Sequence, residues 1–141
     1  MKLSDIMTRD VEVLSPDDRL DEAARRMKAL DVGLMPVCDG DRLLGMLTDR
    51  DITVRAVSAG RAPRETAVVD IMTADVVYCF EDQDVEEAAR LMHDAQIRRL
   101  PILNRNKRLT GIVALADLAV RTGDDQLSGR VLAGVSQPAR H

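Results

Sequence analysis

The sequence predicts an α/β fold of the α+β kind, two pseudo-symmetric copies of one β-α-β-β-α unit packed sheet to sheet. Three observations predict it. First, the chain is written twice: Asp5-Ile6-Met7-Thr8 returns as Asp70-Ile71-Met72-Thr73, and Asp10-Val11 as Asp75-Val76. At the same offset Glu22-Ala23-Ala24-Arg25 returns as Glu87-Ala88-Ala89-Arg90, Met27 as Met92 and Pro36 as Pro101. One extra residue in the second copy then places Leu43 on Leu109, Gly45 on Gly111 and Asp51 on Asp117, an ordered series that marks a true repeat. Second, both copies switch from short β-prone runs to a helical stripe and back in the same order. Third, the chain is 45% hydrophobic and 1% aromatic. Its core is therefore Leu, Val, Ile, Met and Ala, and one copy alone supplies too little of it to stand unaided.

In the first copy a β-prone stretch, Val11 to Leu14, precedes a helix whose apolar stripe is Leu20, Ala23, Ala24, Met27 and Leu30. Asp17 and Asp18, like Asp82 and Asp84 in the second copy, sit where the helix begins and suit capping and the helix dipole. Met35 to Cys38 and Arg42 to Leu47 flank Asp39-Gly40, a tight-turn signal, and Pro36 belongs at a strand start or edge because it lacks a ladder donor. A helix over Arg50 to Ala59 closes the copy. The second copy runs Val76 to Phe80, the stripe Val85, Ala88, Ala89 and Met92, strands Leu100 to Leu103 and Leu109 to Val113, and a helix Leu115 to Arg121. Its longer loop, Asn104 to Lys107, absorbs the extra residue. These elements give a first repeat over 1–60, a linker over 61–67 around Gly60-Arg61-Ala62-Pro63-Arg64, and a second repeat over 68–122. In the tail, 123–141, Leu127, Val131, Leu132 and Val135 recur at near-helical spacing, which suits an extra docked helix or pairing with a second subunit; Ser136 to His141 reads as frayed.

Composition excludes several classes. A net charge of −4 without a basic stripe or exposed rings argues against nucleic acid. No run approaches the ~18 apolar residues of a membrane span. The opening ten residues carry an early acid and no apolar segment, so they do not read as a secretion signal, and a cytoplasmic location is expected. Cys38 and Cys79 are then expected to be reduced, structural thiols. With only His93 and His141 beside them they have no metal-ligand spacing, and no metal site is predicted. His93 lies on the polar side of its helix and reads as solvated. No nucleophile stands beside a base and no glycine-rich phosphate loop is present, so no catalytic residue and no enzyme activity is predicted.

The Asp-Ile-Met-Thr openings, the Glu-Ala-Ala helices, the strands around Pro36 and Pro101, and Gly45-Met46-Leu47-Thr48-Asp49-Arg50-Asp51 resemble CBS domains. The resemblance covers residues 3–122, and the chain is similar to bacterial stand-alone CBS pairs of the hypoxic-response type. It implies two pseudo-symmetric clefts between the repeats, where many relatives bind adenine nucleotides, and a homodimer of pairs, often disc-shaped. The family's ligand motif is Gly, two apolar residues, Thr or Ser, two residues, then Asp, and Gly45, Thr48 and Asp51 match it. By that resemblance Asp51 accepts from both ribose hydroxyls, Thr48 donates to a phosphate at a helix N-terminus, and Gly45 leaves room on the strand. Thr48 and Asp51 are equally spaced as a capping box that needs no ligand. The second copy keeps Asp117 but has Ala114 in place of the Thr. An acid retained without its hydroxyl partner favours a separate job for Asp117, ribose binding by the same resemblance, with a solvated acid at a helix start as the alternative, while the missing hydroxyl departs from the motif. Arg98 and Arg99 stand where nucleotide-binding relatives place phosphate-contacting basic residues; the first copy has Gly33-Leu34 there. They also read as strand-edge charges that discourage aggregation.

The function this implies is a regulatory module sensing an adenine nucleotide or related adenosyl compound: AMP, ADP, ATP or S-adenosylmethionine. No cofactor is required, and an unidentified protein target receives the signal. The alternative is a dimeric protein-interaction module with vestigial nucleotide sites.

Overall fold

A computed structural model describes residues 1–123 and 125–135. In chain order its elements are α1 (Leu20–Leu30), β1 (Leu34–Asp39), β2 (Arg42–Thr48), α2 (Asp49–Asp51), β3 (Cys79–Phe80), α3 (Val85–Ala95), β4 (Arg99–Leu103), β5 (Leu109–Ala114), α4 (Leu115–Thr122) and α5 (Asp125–Val135). The helix predicted over Arg50 to Ala59 is divided: after the short α2 the backbone winds as a π-helix, Ile52–Val57. Short 3₁₀ turns lie at Leu3–Asp5, Pro63–Glu65 and Val68–Asp70.

The chain forms two compact units that do not follow the repeat boundaries: Glu12–Val76, and Met1–Val11 together with the chain from Val77 onward. In the first, β1 pairs antiparallel with β2. The strand expected at Val11 to Leu14 is reduced to one parallel bridge, Leu14 with Val37. Leu14 N–H donates to Pro36 O at 2.8 Å, and Cys38 N–H to Leu14 O at 2.9 Å. Pro36 is thus the third residue of β1, not its start, and is tolerated because its missing donor faces this barely paired side. Residues 61–67 hold the Pro63–Glu65 turn, which packs on α1, and a buried Thr66 whose Oγ1 donates to Ala62 O at 2.7 Å.

In the other unit β3 runs parallel to β4, and β4 antiparallel to β5. Both hairpins carry an irregularity at the equivalent place, Val37/Cys38 and Ile102/Leu103. On the hairpin loop, Arg105 makes a two-pronged bond to Asp82 at 2.9 and 2.8 Å and lies 4.2 Å above the Phe80 ring.

The expected stripes bury their small and long apolar residues differently. Leu20, Ala23 and Met27 face the core of the first unit beside Leu14, Met35 and Leu47, whereas Ala24 and Leu30 are exposed. In α3, Val85, Ala88, Ala89 and Met92 are all buried. Neither Arg19 nor Asp84, the residue preceding each helix, caps it with its side chain. Asp18 instead accepts from Ser15 N–H at 2.9 Å and closes the turn before α1. Both helices end on a left-handed residue without glycine, Asp31 and Gln96, whose N–H folds back on the last carbonyls. The tail docks as α5: Leu127 and Val131 join the α3 core cluster, and Leu132 stays 46% exposed. The Val135 side chain and the expected frayed end, Ser136 to His141, lie outside the described residues. No helix among the described residues is long and apolar enough to cross a membrane.

Candidate functional site

Each Asp-Ile-Met-Thr opening is bonded to a glycine-bearing strand. In the first unit Met46 N–H donates to Thr73 O, and Thr73 N–H to Met46 O, both at 2.9 Å. In the other, Thr8 N–H and Ile112 O, then Ile112 N–H and Thr8 O, repeat the exchange at 2.9 and 3.0 Å. The glycines permit this approach. A Cβ on Gly45 would lie 2.6 Å from Thr73 O, and one on Gly111 2.7 Å from Thr8 O. The room expected at Gly45 is therefore filled by the chain itself, by Thr73 and the Met72 sulfur at 2.7 Å.

Thr48 and Asp51 realise the capping reading. Asp51 N–H donates to Thr48 Oγ1 and Thr48 N–H to Asp51 Oδ2, each at 3.0 Å. Capping does not exhaust the carboxylate, which an ionised Asp offers as about four acceptor positions. Its remaining contacts are longer: Thr73 Oγ1 at 3.3 Å to Oδ1 and 3.4 Å to Oδ2, and Arg55 Nε at 3.9 Å to Oδ1. The Arg55 guanidinium also donates to Met72 O at 3.2 Å. The Asp51 side chain is 12% exposed, so a carboxylate sits at a helix start with one oxygen committed and the other loosely held.

At the second copy Asp117 Oδ2 accepts from Ala114 N–H at 2.7 Å, with Arg121 Nε 3.8 Å from Oδ1. Asp117 therefore keeps a cap bond without the Thr, and like Asp51 it retains acceptor capacity beyond that bond. Half of the capping box survives without the hydroxyl, because the Asp bonds the backbone N–H and not the missing side chain. Arg55 and Arg121 were not anticipated, although the sequence carries their signal: an Asp followed four residues later by Arg in both copies.

Arg98 and Arg99 are exposed and line a hollow of about 520 Å³ with Ala114, Leu115, Gly129 and Leu132. Two guanidinium groups thus meet an apolar wall to which α5 contributes. The first copy has Gly33 and Leu34 in their place. Asp49 N–H donates to Gly33 O as Leu115 N–H does to Arg98 O, at 2.9 and 2.8 Å, but a Cβ on Gly33 would lie 2.9 Å from Asp49 Oδ2. The structure therefore brings Thr48 to Asp51 in one unit, and Arg98 and Arg99 to Ala114, Leu115 and Ala116 in the other, whereas Asp117 is not among the described residues that line that hollow.

The cysteines are buried, and burial first, then the nearby Asp41 or Glu87 charge, pushes both thiols up to about 11. Among the described residues no group of three or more His, Cys, Asp or Glu is placed to hold a metal ion.

Each of the two units carries an Asp at N3 of the helix that follows a glycine-bearing strand, the fold of a paired repeat module. The family model for the CBS domain matches residues 3–57 and 68–121, and the chain belongs to that family. It is 41% identical to the CBS domain-containing protein YhcV of Bacillus subtilis, over 99% of this chain and 98% of that one. It is 36% identical to hypoxic response protein 1 of Mycobacterium tuberculosis, over 82% and 80% of the two chains. The crystal structure of Hypoxic Response Protein I, with two coordinated zinc ions, superposes with a TM-score of 0.78 at 35% identity, covering 84% and 97%. Two structures share the fold at lower identity. CBSX2 in complex with AMP has a TM-score of 0.74 at 24%, covering 86% and 95%. The CBS pair of MJ0100 with 5-methylthioadenosine and S-adenosyl-L-methionine has 0.73 at 23%, covering 87% and 96%.

Proposed function

We propose that this CBS pair is a cytoplasmic regulatory module, a homodimer that senses an adenine nucleotide or related adenosyl compound and reports it to a protein target. The observation that carries this reading is the Asp51 carboxylate. It is nearly buried, fixed by one short bond to Thr48 N–H, and left with an oxygen whose contacts are 3.3 and 3.9 Å long. Such an oxygen suits a ribose diol, which offers two donors to one acceptor-only group. Thr48, at the same helix start, stands ready for a phosphate. Arg98 and Arg99 give the second copy two guanidinium groups beside the apolar surface of Leu115 and Leu132, a pairing that fits a phosphate and a base. AMP in CBSX2 and the two adenosyl compounds in MJ0100 share the adenosine group this reading requires. Binding acts by favouring whichever of two states it fits better; no chemical step and no resident cofactor is part of the proposal.

One observation favours a second reading, an interaction module with vestigial sites. Ala114 supplies no hydroxyl, and Asp117 already has its cap bond.

Isothermal titration of the full chain with AMP, ADP, ATP and S-adenosylmethionine decides between them. Saturable heat with one ligand, reduced at least tenfold in affinity by Asp51→Asn, is expected. Asn keeps an oxygen for the Thr48 N–H and so preserves the cap. A folded chain free of carried-over ligand that binds none of the four overturns the sensor reading.

A further inference from the structure

We propose that Thr73 is the positioning residue for the Asp51 carboxylate, and that its hydroxyl makes the Asp51 site bind adenosyl ligands more tightly than the Asp117 site. The inference rests on the sensor reading above and assigns the unequal strength of its two sites. Asp χ2 is a soft torsion, so a carboxylate with one anchor turns easily about it. Asp51 has two anchors. Thr48 N–H holds Oδ2, and Thr73 Oγ1 spans both oxygens at 3.3 and 3.4 Å. The second anchor is itself fixed. Thr73 exchanges both backbone bonds with Met46, and its carbonyl lies so close to Gly45 that a Cβ there would come within 2.6 Å. Arg55 ties the same place together, its guanidinium reaching Met72 O at 3.2 Å and Asp51 at 3.9 Å.

The other copy is the control that the sequence itself supplies. Thr8 is held by the same two backbone bonds to Ile112, yet among the described residues its hydroxyl makes no hydrogen bond to Asp117. That carboxylate keeps only the Ala114 N–H at 2.7 Å and the more distant Arg121. A ligand diol that meets an already oriented carboxylate loses less freedom on binding. Thr73 acts through Asp51 and need not touch the ligand. Its backbone bonds survive any change of side chain, so Thr73→Val should fold.

The probe is AMP, titrated calorimetrically into the full chain carrying Thr73→Val, Thr73→Ser, or either together with Asp51→Ala. Thr73→Val should weaken the tighter AMP site roughly two- to threefold, the lower end for a hydrogen bond, because the contacts at 3.3 and 3.4 Å are long. Thr73→Ser should restore the wild-type affinity. In the Asp51→Ala background, where no side-chain oxygen is left for the Thr73 hydroxyl, Thr73→Val should change nothing further. Wild-type affinity in Thr73→Val, or failure of Ser to rescue it, overturns the positioning role while leaving the sensor reading intact. No AMP binding by the wild type defeats both for this probe. The thermal melts of Thr73→Val, Asp51→Ala and the pair together then test the bond itself, since Ala removes both acceptor oxygens, and additive losses would show that it does not exist.

Discussion

Gly45→Ala isolates what the motif glycine does. The new Cβ would stand 2.6 Å from Thr73 O, 2.7 Å from the Met72 sulfur and 3.2 Å from Met72 Cγ. Met72 can swing its thioether away at small cost. The carbonyl cannot, because it belongs to the pair of 2.9 Å bonds between Thr73 and Met46. Retreat by roughly 0.4 Å or more would stretch those bonds beyond the normal N–H···O range. Two weakened bonds cost about 1–3 kcal/mol, and residual overpacking costs about 1–3 kcal/mol. Replacing Gly by Ala returns roughly 0.5–1 kcal/mol of backbone entropy. The net loss is about 1–5 kcal/mol, or a fall in Tm of roughly 3–15 °C for a chain of this size. Urea and thermal unfolding measure it directly. Gly129→Ala is the contrasting variant: nothing lies within 4 Å of its Cβ position on α5, so about 0.5–1 kcal/mol of stabilisation is expected. A Gly45→Ala chain as stable as wild type would refute the close approach. One that kept its stability but lost AMP binding would return Gly45 to a ligand-clearing role.

Thr48→Ala turns the first cap into the second copy's version, leaving Thr48 N–H to Asp51 as at Ala114. It should cost about 1 kcal/mol in urea melts and weaken AMP binding; an unchanged melt would mean the Asp51 N–H bond contributes nothing. Cys38 and Cys79, with thiols pushed up to about 11, should resist alkylation at pH 8 until the chain unfolds, as read by mass spectrometry. A folded value above the ordinary 9.0 means the folded chain holds its protons longer. That stability is complete below about pH 9 and is lost as pH rises toward about 11, a decline that Cys38→Ala should reduce. The Arg105 bond holds the Asp82 carboxyl below its ordinary 3.8. Its contribution is therefore present above that value and lost as pH falls below it, and Asp82→Asn should flatten the acid limb of the stability curve.

The order of elements was legible because it is local. The helix stripe, the Asp39-Gly40 turn and the longer Asn104 to Lys107 loop each carry their own signal. The pairing of segments was not. Asp5 to Thr8 and Asp70 to Thr73 are alike, so either opening suits either glycine, and similarity says which pieces match without saying which pieces touch. The structure assigns Thr8 to Ile112 and Thr73 to Met46. The site residues follow the same division. Thr48 and Asp51 were readable as a motif, whereas Thr73 lies distant in sequence and reaches Asp51 only through that pairing. Within the second helix stripe no residue was misplaced. In the first, Ala24 and Leu30 stay exposed, whereas Ala89, the counterpart of Ala24, is buried where α5 packs on α3. The division of Arg50 to Ala59 into α2 and a π-helix leaves no trace in apolar spacing.

The pairing of Thr8 with Ile112 also fixes an order of assembly. Glu12 to Val76 is contiguous, so on a ribosome it holds everything its own unit needs once Val76 has emerged. Met1 to Val11 cannot complete its contacts until Ile112 and the rest of β5 follow, so a segment made before the contiguous unit is placed after it. Division of the gene between the repeats would accordingly yield two fragments that each lack a strip of their own unit and carry a strip belonging to the other. Mixed together, such halves would be expected to recover structure by exchange, since each holds what the other is missing.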